Sequence, residues 1–232
     1  MTEGSYSQFC PVAMAAEILC TRWTVVLLRE LVAGSTRFNE LRRGVPRMSP
    51  ALLSKRLKEL EAAGIVSRSR VPGDSDVLEY RLTAAGRDLQ PVIDAVGVWG
   101  HKWIETEASL KKLDPNLLMW DMRRNLDPAP MPPRRTIVQV IFTDLPAMRR
   151  NWWLIVQLDK EVDLCSVDPG FDVDLYVSTD LRTMTAVWMG YTRIAEARDE
   201  GRLIFTGDRQ LEAGLIKAWA LSPFAKVEKL VA

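Results

Sequence analysis

The sequence predicts an α+β protein whose two halves differ in texture. In the first half, apolar residues recur at helical spacing through successive segments. Around residue 65 the period changes to that of strands, and in the second half strand-like runs follow one another directly.

The first-half elements can be taken in order. "CPVAMAAEIL" and "WTVVLLRELVAG" carry apolar residues three and four apart, and Gly34 is placed to close the second as a left-handed C′ residue. "RFNELRRGV" is a short third helix with Phe38 and Leu41 inward. Ser49 and Pro50 open a fourth, "MSPALLSKRLKELEAAGIV", as N-cap and first helical residue. Leu53, Leu57 and Leu60 form its buried stripe, and Gly64 stops it. "IVSRSRV" and "VLEYRL", joined by the tip "PGDSD", read as a β-hairpin. Thr83 caps one further long helix, "AAGRDLQPVIDAVGVWGHKWIET", which Pro91 either bends or helps to start. Its stripe of Leu89, Val92, Val96, Trp99 and Trp103 calls for a partner surface.

In the second half, "LDPNLLMWDMRRNLDPAPMPPRR" holds five prolines and reads as a linker with a short helix. "TIVQVIF", "NWWLIVQL", "EVDLCSV" and "DVDLYVST" are four successive strand candidates. A helical stretch from Leu181, a fifth strand "RLIFTGD" and a last helix "RQLEAGLIKAWAL" complete the chain. With no crossover helix among the first four strands, an antiparallel sheet with helices on one face is expected. The expected division is 1–108, a linker at 109–135, and 136–232.

Composition removes several kinds of chemistry. A single histidine, His101, leaves no histidine cluster for zinc and only one residue around which a Ser-His-Asp triad could form. The chain contains neither GxxxxGK(S/T) nor GxGxxG, so hydrolase and nucleotide-enzyme functions start weak; no enzyme activity, cofactor or metal is expected. Cys10, Cys20 and Cys165 are odd in number and lack CxxC spacing, as suits a reducing compartment. No apolar run reaches membrane-spanning length, and "MTEGSYSQFC" lacks the features of an export signal, so a cytoplasmic location is expected.

Three helices followed by a hairpin form the plan of a winged helix-turn-helix, in which the helix at 49–63 enters the DNA major groove and the hairpin reaches the flanking backbone. Charge agrees locally. The whole chain is +1, yet between Arg37 and Lys58 stand Arg37, Arg42, Arg43, Arg47, Lys55, Arg56 and Lys58 against Glu40 alone, a net +6 suited to phosphate. Ser49, Ala51, Ser54 and Lys55 are the candidates for base or near-base contact. Arg37, Asn39, Arg42 and Lys58 are placed for the backbone, and Arg68, Arg70 and Arg81 on the wing. An ordinary solvated helix face is the alternative.

"CPV" at Cys10–Val12, "RWT" at Arg22–Thr24, "LLREL" at Leu27–Leu31, "RFNELRR", "MSPALLSKRLKELEAAGIVSR" and "EYRLTAAGRDLQPVIDAVGVWG" together resemble HxlR-type winged-helix transcription regulators, relatives of the MarR group. The resemblance covers residues 10–103. It implies a homodimer on a palindromic double-stranded operator, with the N-terminal helix and the Asp88–Trp103 helix forming the seam. Asp74 and Asp76 in the wing tip depart from the basic or neutral tip usual there, which puts minor-groove contact by the tip in doubt. Cys10 stands at the positive end of the first helix, where thiolate is favoured. In the family a cysteine at this place sometimes senses oxidants or electrophiles; an inert thiol is the alternative. Cys20 and Cys165 read as small core residues.

"DVDLYVSTDLRTMTAVWMGYTRIAEARDEGRLIFTGDRQLEAGLIKAWAL", from Asp172 to Leu221, more loosely resembles the sterol carrier protein fold. That implies a pocket for a small hydrophobic effector, lined by Trp152, Trp153, Met184, Trp188, Tyr191 and Trp219; simple core filling is the alternative. Asp172 and Asp174 share a strand face and read as a solvated edge. The expected function is a sequence-specific DNA-binding regulator with an effector-sensing second domain and no membrane partner. The alternative is a lipid or acyl carrier with an accessory winged helix for protein interaction.

Overall fold

The structure is a computed structural model that describes residues 5–71 and 74–231, without the side chains of residues 74–76. The chain forms two compact units, Met1–Gly97 and Val98–Ala232.

The first unit begins with α1 (Pro11–Leu19), none of whose residues is buried. α2 (Thr24–Val32) buries Leu27, Leu28 and Leu31 and ends at Gly34, whose φ of +95° is open to glycine without strain. α3 (Phe38–Gly44) starts where the Glu40 carboxylate accepts the Thr36 and Arg37 N–H groups at 2.9 and 3.0 Å. α4 (Pro50–Ala62) follows, with Ser49 Oγ accepting the Leu52 N–H at 3.3 Å. Leu53, Leu57 and Leu60 are buried with Leu27, Leu28 and Leu41 in one core.

β1 (Val66–Val71) and β2 (Asp74–Leu82) pair antiparallel from Val66↔Leu82 to Val71↔Asp74, with the register shifting between Arg70 and Val71. The tip is therefore shorter than the five residues expected, and Pro72 and Gly73 lie outside the described residues. The expected long helix is two. α5 (Ala84–Arg87), capped by Thr83 Oγ1, stops before α6 (Gln90–Trp103). Pro91 has no N–H to offer the Arg87 carbonyl, so it opens a helix instead of extending one.

A buried carboxylate ties α2 to α3. Glu30 is fully buried; it is paired with Arg29 and accepts Ser35 Oγ at 3.3 Å, while Arg29 Nη2 also donates to the Gly44 carbonyl at 2.8 Å. A Cβ on Gly44 would lie 1.8 Å from Glu30 Cδ.

The second unit holds α7 (Thr106–Ser109), α8 (Pro115–Arg124), β3 (Thr136–Phe142), α9 (Ala147–Arg150), β4 (Asn151–Val156) and β5 (Asp163–Cys165). Next come β6 (Leu175–Thr179), α10 (Leu181–Trp188), α11 (Ile194–Asp199), β7 (Leu203–Gly207) and α12 (Arg209–Ala218). The helical stretch from Leu181 breaks into α10 and α11 at Gly190, where φ is +76°. The sheet order is β5-β4-β3-β6-β7, and β3 pairs parallel with β6. This corrects the expected antiparallel sheet: β3, β4 and β5 form a meander on one side, and residues 166–174 carry the chain back to the other edge of β3 in the direction β3 runs.

Residues 109–135, expected to be a linker with a short helix, contribute apolar side chains to the core. Leu118, Met119, Met122, Leu126 and Met131 pack with Val138, Val140, Phe142 and Leu175 of the sheet. The prolines serve order here: Pro115 sits in the first turn of α8 behind the Asp114 cap, and the Pro130 carbonyl lies 3.0 Å from where a Cβ on Gly214 of α12 would sit.

The C-terminal segment closes on the end of α6 within this unit. Leu230 N–H donates to the Lys102 carbonyl at 3.0 Å and Lys229 Nζ to the His101 carbonyl at 3.1 Å. His101 is buried and stacked on Tyr191 at 5.5 Å, with Nδ1 lacking a partner. Burial first, and then the Lys229 charge, holds its imidazole below the usual 6.5, against a raising hydrogen bond to the Val227 backbone.

Two outcomes follow for stability. Gly44→Ala is expected to cost about 2 kcal/mol or more in urea unfolding, since the added methyl would overlap the buried, paired Glu30 carboxylate. For His101 the folded state disfavours the proton, so its contribution is complete above pH 6.5 and fades on acidification. Thermal melts should show the second unit losing stability below that pH, and His101→Gln should flatten the dependence.

Candidate nucleic-acid interface

With the leucine stripe of α4 turned inward, the opposite face is settled by helical geometry. Ala51, Lys55 and Lys58 are exposed on it and Ser54 is half-buried. Ser49 is exposed at the helix start, its hydroxyl engaged in the cap. On α3, Asn39 and Arg42 are exposed, as is Arg37 just before it.

The local +6 is smaller at the surface than in the sequence. Arg56 is 15 % exposed and turned away from this face: it is paired with Glu59 and donates to the Arg22 carbonyl at 3.3 Å. Lys55 lies 4.0 Å from Glu59, one helical turn on.

The wing divides the three arginines proposed for it. Arg68 and Arg70 share one side of β1, whereas Arg81 pairs in register with Ser67 and so lies on the other side of the ribbon. Arg68 is 3.6 Å from Glu61, and Arg81 bonds Glu79 through Nε at 3.0 Å and Nη2 at 2.7 Å. These carboxylates were missed as members of the site. Two of them carried a signal in the spacing, i+4 from Lys55 to Glu59 and i+2 along a strand from Glu79 to Arg81, whereas Glu61 meets Arg68 only through the turn from α4 to β1. The side chains of Asp74 and Asp76 lie outside the described residues.

α1 and α6 leave apolar side chains in water. Phe9, Val12 and Met14 are exposed around α1, and Val92, Val96, Trp99 and Trp103 form an exposed stripe along α6. Among the described residues no single helix is long and apolar enough to cross a membrane. Cys10 is the N-cap of α1, and the backbone N–H groups of Ala13 and then Val12 pull its thiol below the ordinary 9.0. Cys20 is exposed, not a core residue, and Cys165 is half-buried.

The aromatic set expected to line one pocket does not converge. Trp152 faces the helices within the core, together with Met184, Trp188 and Trp219. Trp153, its neighbour on β4, points to the opposite face of the sheet, opposite Gln139 and Cys165 in the strand register. Tyr191 stacks on His101 and Trp219 meets Phe205 edge-on at 6.4 Å. Asp174 is tied into the sheet end: it accepts the Ile137 N–H at 2.8 Å and pairs with Arg134 at 2.9 Å, so it is no free carboxylate partner for Asp172.

A helix-turn-helix carrying a two-stranded wing defines a winged helix-turn-helix protein. Residues 18–108 match the family model described as HxlR-like helix-turn-helix. The uncharacterized HTH-type transcriptional regulator YvaP of Bacillus subtilis is 38 % identical over 100 residues, which are 43 % of this chain and 93 % of YvaP. The uncharacterized HTH-type transcriptional regulator sll1512 of Synechocystis is 37 % identical over 99 residues, 43 % of this chain and 73 % of that one. The reduced form of the transcriptional regulator YodB from B. subtilis is 34 % identical with a TM-score of 0.37, covering 42 % of this chain and 97 % of YodB. The chain belongs to the HxlR-like helix-turn-helix family.

The position of Cys10 predicts its reactivity. Alkylation by iodoacetamide, followed by mass spectrometry across pH, should reach half its maximal rate at Cys10 below pH 9.0.

Proposed function

We propose that this chain is a sequence-specific, DNA-binding transcriptional regulator acting as a homodimer on a palindromic operator. The observation that carries the reading is the outward face of α4, with Ala51, Ser54, Lys55 and Lys58 in line, and Arg42 of the preceding helix is exposed as well. Small residues at the start of that face allow close approach to base edges, and Lys58 further along meets the backbone. Arg37, Asn39 and the wing arginines supply further phosphate contacts. The names of the relatives, HTH-type transcriptional regulators, support a regulatory and non-catalytic role.

The dimer would be sealed by α1 and the α6 stripe, two apolar surfaces with no cover in a single chain. A small hydrophobic effector held by the second unit would act by shifting the dimer between geometries that match or mismatch the half-site spacing. An acceptor group on such a ligand would meet the Trp219 indole Nε1, which is buried without a partner beside Phe205. Within this reading the sensing residues are Met184, Trp188 and Trp219, with Trp152 in the same core; Trp153 is not among them. Oxidant or electrophile sensing at Cys10 is a second input the reading accommodates.

Fluorescence anisotropy with duplex DNA at several salt concentrations tests the proposal. Affinity should fall steeply with salt and depend on sequence; an affinity indifferent to both would overturn it. Lys55→Ala should weaken specific binding about tenfold and Glu17→Ala much less, equal effects placing the reading helix elsewhere. Trp99→Glu should convert a dimer to monomer in sedimentation, since it puts a charge in the centre of the apolar seam.

A further inference from the structure

Three cations of the proposed interface stand beside carboxylates of the same chain, and the three pairs are not alike. In Lys55–Glu59 and Arg68–Glu61 both partners are open to solvent, where water and salt leave such a pair little strength. Glu79 differs. Its side chain is 12 % exposed while that of Arg81 is 61 % exposed, and two guanidinium N–H groups meet one carboxylate oxygen. The strand that carries it is anchored from behind. Glu79 pairs through its backbone with Arg37, and the Tyr80 N–H donates to the Thr36 carbonyl at 2.8 Å, so β2 is sewn to the segment leading into α3. A fixed negative charge thus sits where the wing meets the start of the helix-turn-helix, in register with one phosphate-contact candidate and bonded to another.

Resting on the DNA-binding reading above, we propose that Glu79 is a specificity determinant: it holds Arg81 in an internal pair that a DNA phosphate must displace. Phosphate contact supplies affinity without sequence information, and base contact supplies the discrimination. Exchange of carboxylate for phosphate at Arg81 lowers the first without touching the second. On the operator, base contacts from α4 keep the wing pressed to the duplex long enough for the exchange. On random sequence no base contacts hold the wing in place, and Arg81 stays with Glu79.

The test uses the full chain, a random-sequence duplex pool and the duplex that the wild-type chain selects from that pool. Glu79→Gln keeps the shape and removes the charge. It should bind the random pool about two- to fivefold tighter, the range of an exposed to half-exposed ion pair, with a salt slope steeper by up to about one. Binding to the selected duplex should change less. Arg81→Gln added to Glu79→Gln should erase the gain, and Glu196→Gln, an exposed acid of the second unit, should leave both affinities as they were. Arg81→Gln alone serves if the first variant misfolds: it should weaken the selected duplex more than the random pool. A wild-type chain that binds DNA while Glu79→Gln binds the random pool no better, or Arg81→Gln weakens both duplexes equally, overturns this inference alone. A wild-type chain that binds neither duplex at low salt overturns the DNA-binding reading as well.

Discussion

The burial of Leu53, Leu57 and Leu60 against Leu27, Leu28 and Leu41 is the constraint on which the first unit depends. Each fully buried leucine contributes about 1.5–3 kcal/mol, enough in sum to hold α4 in one rotational setting. Because side chains on a helix keep fixed angular relations, that setting also decides which polar residues face water. The clamp of Arg29, Glu30 and Gly44 then fixes α3 against α2, so that the two helices of the helix-turn-helix are each referred to the same partner. A buried carboxylate is an expensive way to join helices unless its charge is met, and here a guanidinium and a hydroxyl meet it.

Charge on this unit is arranged by pairing more than by quantity. Arg56 belongs to the basic segment in sequence and to the packing of α4 in space. Lys55, Arg68 and Arg81 each face a carboxylate that lies outside the basic run, on the last turns of α4 or on β2. A sum over consecutive residues therefore overstates the field that another molecule would meet.

The second unit shows a related effect in apolar residues. One face of the sheet carries Val138, Val140, Phe142, Trp152 and Leu154 against the helices, and alternation along β4 sends Trp153 to the other side. Two adjacent tryptophans thus belong to different layers. The proline-rich segment before β3 is ordered for the same reason that its helix is buried: Leu118, Met119 and Met122 close the core that the sheet leaves open.

The sequence by itself determined the elements governed by local chemistry. The Ser49 and Thr83 caps, the Gly34 and Gly64 stops, the leucine stripe of α4 and the hairpin can each be read from a few neighbouring residues, because capping, left-handed backbone and helical periodicity act within a turn or two. The exposed face of α4 was legible on the same ground. Only the tertiary structure decided the parallel pairing of β3 with β6, the opposite sides taken by Arg68 and Arg81, and the engagement of Glu79. Those depend on which strand meets which edge and in what register, and such choices rest on contacts between residues far apart in the chain, whose energies no local window contains.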